Sequence, residues 1–128
     1  MPMNQEVKAQ WVAALRSGAY EQGRSHLRST EDKFCCLGVL CDVAVEQGLA
    51  TWQPSMLNPD AFYVAGKGTD RSPALLPVVV QQWAGLCGSP QFTGGGGEYA
   101  GCALTSVNDN EQETFSGIAD LIEADSGL

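Results

Sequence analysis

A chain of 128 residues fits one domain, and 44% hydrophobic against 17% charged residues places it with globular rather than disordered chains. The net charge of −8 repels nucleic acid and anionic membranes, which sets aside phosphate-neutralising DNA or RNA binding. No apolar run approaches the roughly 20 residues of a membrane span, and the opening MPMNQEVKAQ lacks a signal-peptide core; a single cytoplasmic domain over 1–128 is expected.

Residues 4–17 are expected to form a helix. Asn4 suits the N-cap, Glu6 the first turn and Gly18 the stop, while Val7, Trp11, Ala14 and Leu15 recur at helical spacing. Residues 18–33 carry two glycines and an S-T-E-D-K cluster, so they read as irregular or hairpin-like, with HLRS (26–29) as a short strand. Residues 34–45 are the most informative stretch. Only Gly38 and Asp42 interrupt side chains that are apolar or cysteine, and Gly48 follows. Length favours a helix of about three turns, apolar all round and therefore central. A glycine inside it predicts that another element passes too close for a Cβ.

Further along, AFYVAG (61–66) is a strand candidate and Pro77 opens a short helix through Val80 and Trp83 to Gly85. Residues 88–101, with four glycines at 94–97, are expected to be a surface loop. CALTSV (102–107) is a second strand candidate. Thr114 caps a last helix whose Phe115, Ile118, Ala119 and Ile122 follow i, i+3, i+4, i+7. The fold class is α+β, helix-rich, with four helices and a small antiparallel sheet or hairpin.

Five cysteines, two of them adjacent, do not make a disulfide framework. Adjacent cysteines on a helix point about 100° apart, a poor start for zinc, so neither metal nor cofactor is expected. A cysteine nucleophile at the start of the central helix, with Gln22-Gly23 upstream and Asn108-Asp109 downstream, lacks a suitable base, since the one histidine is His26 in a turn-rich segment. Asp42 must be paired if buried. Arg24 or Arg28 would supply a structural ion pair; alternatively Asp42 holds a ligand's hydroxyls or amine. The loops before the central and last helices are expected to meet at one end of the domain. Tyr20, Gln22, Arg24, Arg28, Asp42, Asn108 and Asp109 are then the candidate ligand-binding residues, suited to a nucleotide-like molecule, with no catalytic residue among them. Asn108-Asp109 could equally be a plain turn.

All seven cations precede residue 72, and the last 57 residues carry seven acids and no Lys or Arg. That asymmetry serves solubility or an anionic face for a basic partner.

Residues 11–23 (WVAALRSGxYxQG), 34–44 (FCCLGVLCDxA), 76–86 (LPxxVxxWAGL) and 108–123 (ND…TFxxIADxIE) resemble a family of small proteins common in bacteriophages and prophages. More distantly they are similar to an actinobacterial family with Q-G, C-x-x-G-A-L and N-D in the same order. The resemblance implies a phage accessory protein in the bacterial cytoplasm. Such proteins counter host defence by sequestering nucleotide immune signals, in sites often enclosed between subunits of an oligomer, or by blocking a defence protein. The first expectation is a non-enzymatic sponge for a nucleotide-derived signal. The others are an acidic inhibitor acting through residues 98–128 and an unrecognised small enzyme.

Overall fold

The computed structural model describes residues 3–24, 26–55, 61–65, 76–86, 90–93, 99–109 and 113–128. Cys87, Gly66-Lys67-Gly68 and the glycine run at 94–97 lie outside the described residues. Among the described residues no helix is long and apolar enough to cross a membrane.

Helix α1 (Gln5–Arg16) begins where the Asn4 side-chain oxygen accepts the backbone N–H groups of Glu6 and Val7, which would otherwise be unsatisfied. Its inner face buries Val7, Trp11, Val12 and Leu15. Trp11 is fully buried, and its indole N–H donates to the Cys36 carbonyl at 2.9 Å, so the ring is a core anchor. The next stretch holds three two-residue strands, β1 (Glu21–Gln22), β2 (Arg28–Ser29) and β3 (Lys33–Phe34). Because Phe34 belongs to β3, the central helix starts later than its composition suggested. Cys35 is its extended N-cap and α2 runs Cys36–Glu46. Beyond the helix, Gly48 takes φ +81°, the left-handed conformation that ends a helix at least cost to glycine.

Helix α2 is the interior rod, with Cys36 to Cys41, Val43 and Ala44 all buried. Packed around it are α1, β3, α3 (Val78–Ala84) and α4 (Leu104–Asp109). The expected close approach at Gly38 is present. A Cβ there would lie 1.7 Å from the Leu27 carbonyl oxygen, so the backbone leading into β2 crosses directly over the helix.

The sheet is larger than a hairpin. Strands β4 (Thr51–Pro54) and β5 (Ala61–Ala65) complete the order β1-β3-β2-β5-β4, antiparallel except for the parallel pair β1–β3. Ser55 N–H bonds to the Ala61 carbonyl, and Pro54 pairs with Phe62. By antiparallel alternation, the edge of Pro54 that lacks an N–H faces away from the sheet.

Three expectations are corrected by the C-terminal half. Among the described residues there are five helices rather than four. The CALTSV segment is not a strand: Leu104 to Asp109 forms α4, because Leu104 and Val107 at i, i+3 both enter the core. The 88–101 stretch is not merely surface loop either. Phe92 is 2% exposed, and Gln91 bridges to Ala103. Helix α5 (Phe115–Ala124) is capped by the Thr114 hydroxyl, which accepts Gly117 N–H at 3.1 Å. It packs on α1, where Arg16 spans Asp120 at 2.6 Å and Glu123 at 2.8 Å.

Candidate functional site

The N-terminal end of α2 is where two remote stretches meet. Parallel pairing sets Gln22 opposite Phe34, and Gly23 N–H donates to the Phe34 carbonyl at 2.7 Å. From there the Gln22 amide donates to Asn108 Oδ1 at 2.9 Å and to the Glu113 carbonyl at 2.6 Å. Asn108 replies through Nδ2, donating to the Gly23 carbonyl at 2.9 Å and to Asp109 Oδ1 at 2.8 Å. Asn108-Asp109 is thus the end of α4 and not a turn. Asn108 is wholly buried, and its amide oxygen and both N–H bonds are used within the protein. Convergence is real, but Gln22 and Asn108 spend themselves on each other: they form a lock between chain halves.

Replacing Asn108 by leucine keeps the shape and removes every partner. Buried groups left unsatisfied cost about 1–3 kcal/mol each. A loss near 3 kcal/mol is expected, read as a lower urea midpoint with an unchanged slope. A change within about 0.5 kcal/mol, the usual surface value, would show that the lock carries no weight.

A second cluster lies on the sheet face toward α2. Arg28, Phe34 and Phe62 are register partners across β2, β3 and β5 and so share that face, with Trp52 from β4 beside them. The Arg28 guanidinium carbon sits 4.8 Å from the Phe62 ring centre, 5.4 Å from Phe34 and 5.5 Å from Trp52. Phe34 meets Tyr20 and Trp52 edge-on, at 5.0 and 6.0 Å between centres. Arg28 Nε and Nη2 both donate to Asp32 Oδ1, at 3.0 and 2.7 Å. Asp32 occupies φ +60°, which aspartate tolerates better than most residues.

Asp42 belongs to this cluster, but its partner is not an arginine, which corrects the ion pair expected with Arg24 or Arg28. Its carboxylate accepts the Tyr20 hydroxyl at 2.5 Å and the Trp52 indole N–H at 2.9 Å. Burial, then the hydrogen bond to Asp42, pushes the Tyr20 phenol well above its ordinary range, so it remains a neutral donor. Arg24 stands apart. It is exposed and makes no ion pair among the described residues.

The three buried thiols, Cys35, Cys36 and Cys41, are poor nucleophiles. Cys35 is 4% exposed, and burial pushes its pKa up to about 11 although the N–H groups of Gly38 and Leu37 pull the other way. Burial also holds Cys36 and Cys41 well above the usual thiol value, and the Asp109 carboxylate opposes ionisation of Cys35 and Cys36. Since the thiolate is the reactive form, helix-terminus activation is outweighed here.

Chemically, then, what remains open is Arg28. A guanidinium has five N–H donors, and Asp32 takes two, leaving three without a partner among the described residues on a side chain 25% exposed and flanked by aromatic rings. Phe34, Trp52, Phe62 and Asp32 were not among the expected residues. Trp52 lay in a segment that carried no assignment, and Phe34 in one that read as helix.

Fold and site together describe a small α+β domain with a buried amide lock and a partly open arginine–aromatic patch. Residues 3–126 match the family model described as "Domain of unknown function (DUF8296)", and the chain belongs to that family. No curated protein and no solved structure matches the chain.

Proposed function

We propose that this protein is a non-enzymatic binding protein of bacteriophage origin. It sequesters a nucleotide-derived immune signal in the bacterial cytoplasm and so counters host defence. Phage origin and anti-defence role rest on the motif resemblance. The ligand class rests on one observation: Arg28 keeps three N–H donors unused among the described residues while lying among Phe34, Trp52 and Phe62. A planar base stacks on aromatic side chains, and a phosphate takes the fork of an arginine. Asp42 holds Tyr20 and Trp52 in place for this, and Arg24 adds an exposed cation. In this reading Gln22, Asn108 and Asp109 set the shape of the neighbouring backbone rather than touch the ligand. A second copy of the chain would enclose the ligand.

The test is mass spectrometry of small molecules released by denaturing protein purified from cells with active defence systems, followed by thermal shift with the compound found. Cyclic oligonucleotides and ADP-ribose derivatives are the first panel. The ligand is expected intact, with a higher melting temperature that Arg28→Ala abolishes. Absence of any nucleotide-like ligand, or stabilisation that persists in Arg28→Ala, contradicts the proposal.

The acidic C-terminal segment favours a second reading, inhibition of a defence protein with a basic surface. Asp120 and Glu123 keep side-chain exposures of 69% and 63% while bound to Arg16. Such binding weakens steeply with salt, because the Debye length falls from about 10 Å at 0.1 M to about 3 Å at 1 M.

A further inference from the structure

We infer that the groove between α1 and α5 binds a small monocarboxylate with a short apolar chain. The groove has a volume of about 330 Å³ and shares no residue with the arginine–aromatic patch. That is the low end of the range for small-molecule sites, about 300–1,000 Å³. Ala9, Val12 and Ala13 line it at helical spacing and offer apolar contact without bulk.

Lys8 supplies the charge. It lines the groove yet is only 6% exposed. Of its three ammonium hydrogens, one goes to the Asp125 carbonyl oxygen at 2.7 Å, at the C-terminal end of α5. It joins none of the ion pairs among the described residues. The Asp125 carboxylate is itself buried and turned to neutral donors, the N–H and hydroxyl of Thr93 and the N–H of Gly127. A helix C-terminus offers only about half a negative charge. Among the described residues two ammonium donors therefore have no acceptor, on a side chain that lines an open groove, and buried polar groups are normally satisfied. A carboxylate provides both acceptor atoms and the missing charge.

The rest of the lining sets the ligand's charge. Arg16, two turns further along α1, is already held by Asp120 and Glu123, and Glu123 also lines the groove. That triad has a net negative charge and disfavours a dianion such as phosphate.

Hexanoate is the probe, titrated into isotope-labelled full-length protein, with hexanol as the uncharged control of equal chain length. Saturable shifts of the Ala9 and Ala13 amides are expected with hexanoate. Binding should be about tenfold weaker, or worse, with hexanol and with Lys8→Met, the loss of one charge-assisted hydrogen bond. Ala13 is exposed, so Ala13→Leu fills the groove without disturbing the core and should block hexanoate while Lys8 remains. Arg28→Ala should leave hexanoate binding unchanged, separating this site from the proposed nucleotide site. No saturable shift at millimolar hexanoate, equal binding of hexanol, or unaltered binding to Ala13→Leu overturns the inference. The last two outcomes decide it even if Lys8→Met fails to fold.

Discussion

Gly38→Ala is expected to yield no stable native protein. The added methyl carbon would sit 1.7 Å from the Leu27 carbonyl oxygen and 2.6 Å from its carbon, inside any possible contact distance. Neither side can give way cheaply. Gly38 is held by the turns of a helix buried on all sides, and Leu27 is fully buried and leads straight into β2, which pairs with both β3 and β5. Overpacking of this kind against backbone exceeds the usual 1–3 kcal/mol for an extra methylene. Above about 4 kcal/mol it consumes from a quarter to most of a typical stability of about 5–15 kcal/mol, and a clash with buried backbone at this distance goes well beyond that. Gly48→Ala is the control. Its φ is +81° but nothing lies within 4 Å of the new carbon, so only the left-handed backbone costs, about 1–2 kcal/mol. Circular dichroism melts of both should show a cooperative, slightly lowered transition for Gly48→Ala and none for Gly38→Ala. A Gly38→Ala protein melting within a few degrees of the parent would mean that the crossing at Leu27 is misplaced.

Stability is expected to fall steeply in mild alkali. Cys35, Cys36 and Cys41 are buried free thiols whose ionisation is pushed upward by burial, to about 11 for Cys35 and well above the ordinary value for the others. In the unfolded chain each ionises near 8.5. The folded state therefore holds protons that the unfolded state releases. This stabilisation is complete below the unfolded value and is lost as pH rises through the interval up to the folded value. Once the unfolded thiols are ionised, each contributes a slope of about 1.4 kcal/mol per pH unit, so three act together at about 4. Tyr20, raised in the same direction, adds to the loss above about 10. Urea unfolding under reducing conditions at stepped pH measures the slope, and Cys41→Ala should remove about a third of it. A flat profile from neutral to pH ~10 would show that these thiols titrate as freely folded as unfolded.

Helices α1 and α5 were legible because each presents a periodic apolar stripe, and α2 because so long an apolar stretch can only be interior. Gly38 was legible for a related reason: a glycine gains nothing in a buried helix unless something needs its missing side chain. Segment 102–107 was not. Over six residues its apolar positions satisfy strand alternation as well as helical spacing, and only the core contacts of Leu104 and Val107 decide. Strands of two residues carry no period at all. They exist through remote pairing, Gln22 with Phe34 and Arg28 with Phe62, which no local pattern encodes.

The site divides in the same way. The meeting of Gln22 and Asn108 followed from where loops before helices tend to gather. That the two would bond to each other and to the backbone around them depends on atoms 86 residues apart. Asp42 was singled out correctly as an acid in need of partners, although it is half-buried rather than buried. Its actual partners, an indole and a phenol, come from the sheet face and a loop, whereas charge alone suggested arginine.

Pro54 has a consequence for how this protein associates. The ladder ends at β4 with a residue that offers no donor to an incoming strand, and the opposite border, β1, is only two residues long. Lateral growth of the sheet is starved of bonds at both borders. Self-association is therefore directed to helical or side-chain surfaces, and a high concentration would not readily drive these chains into ribbons.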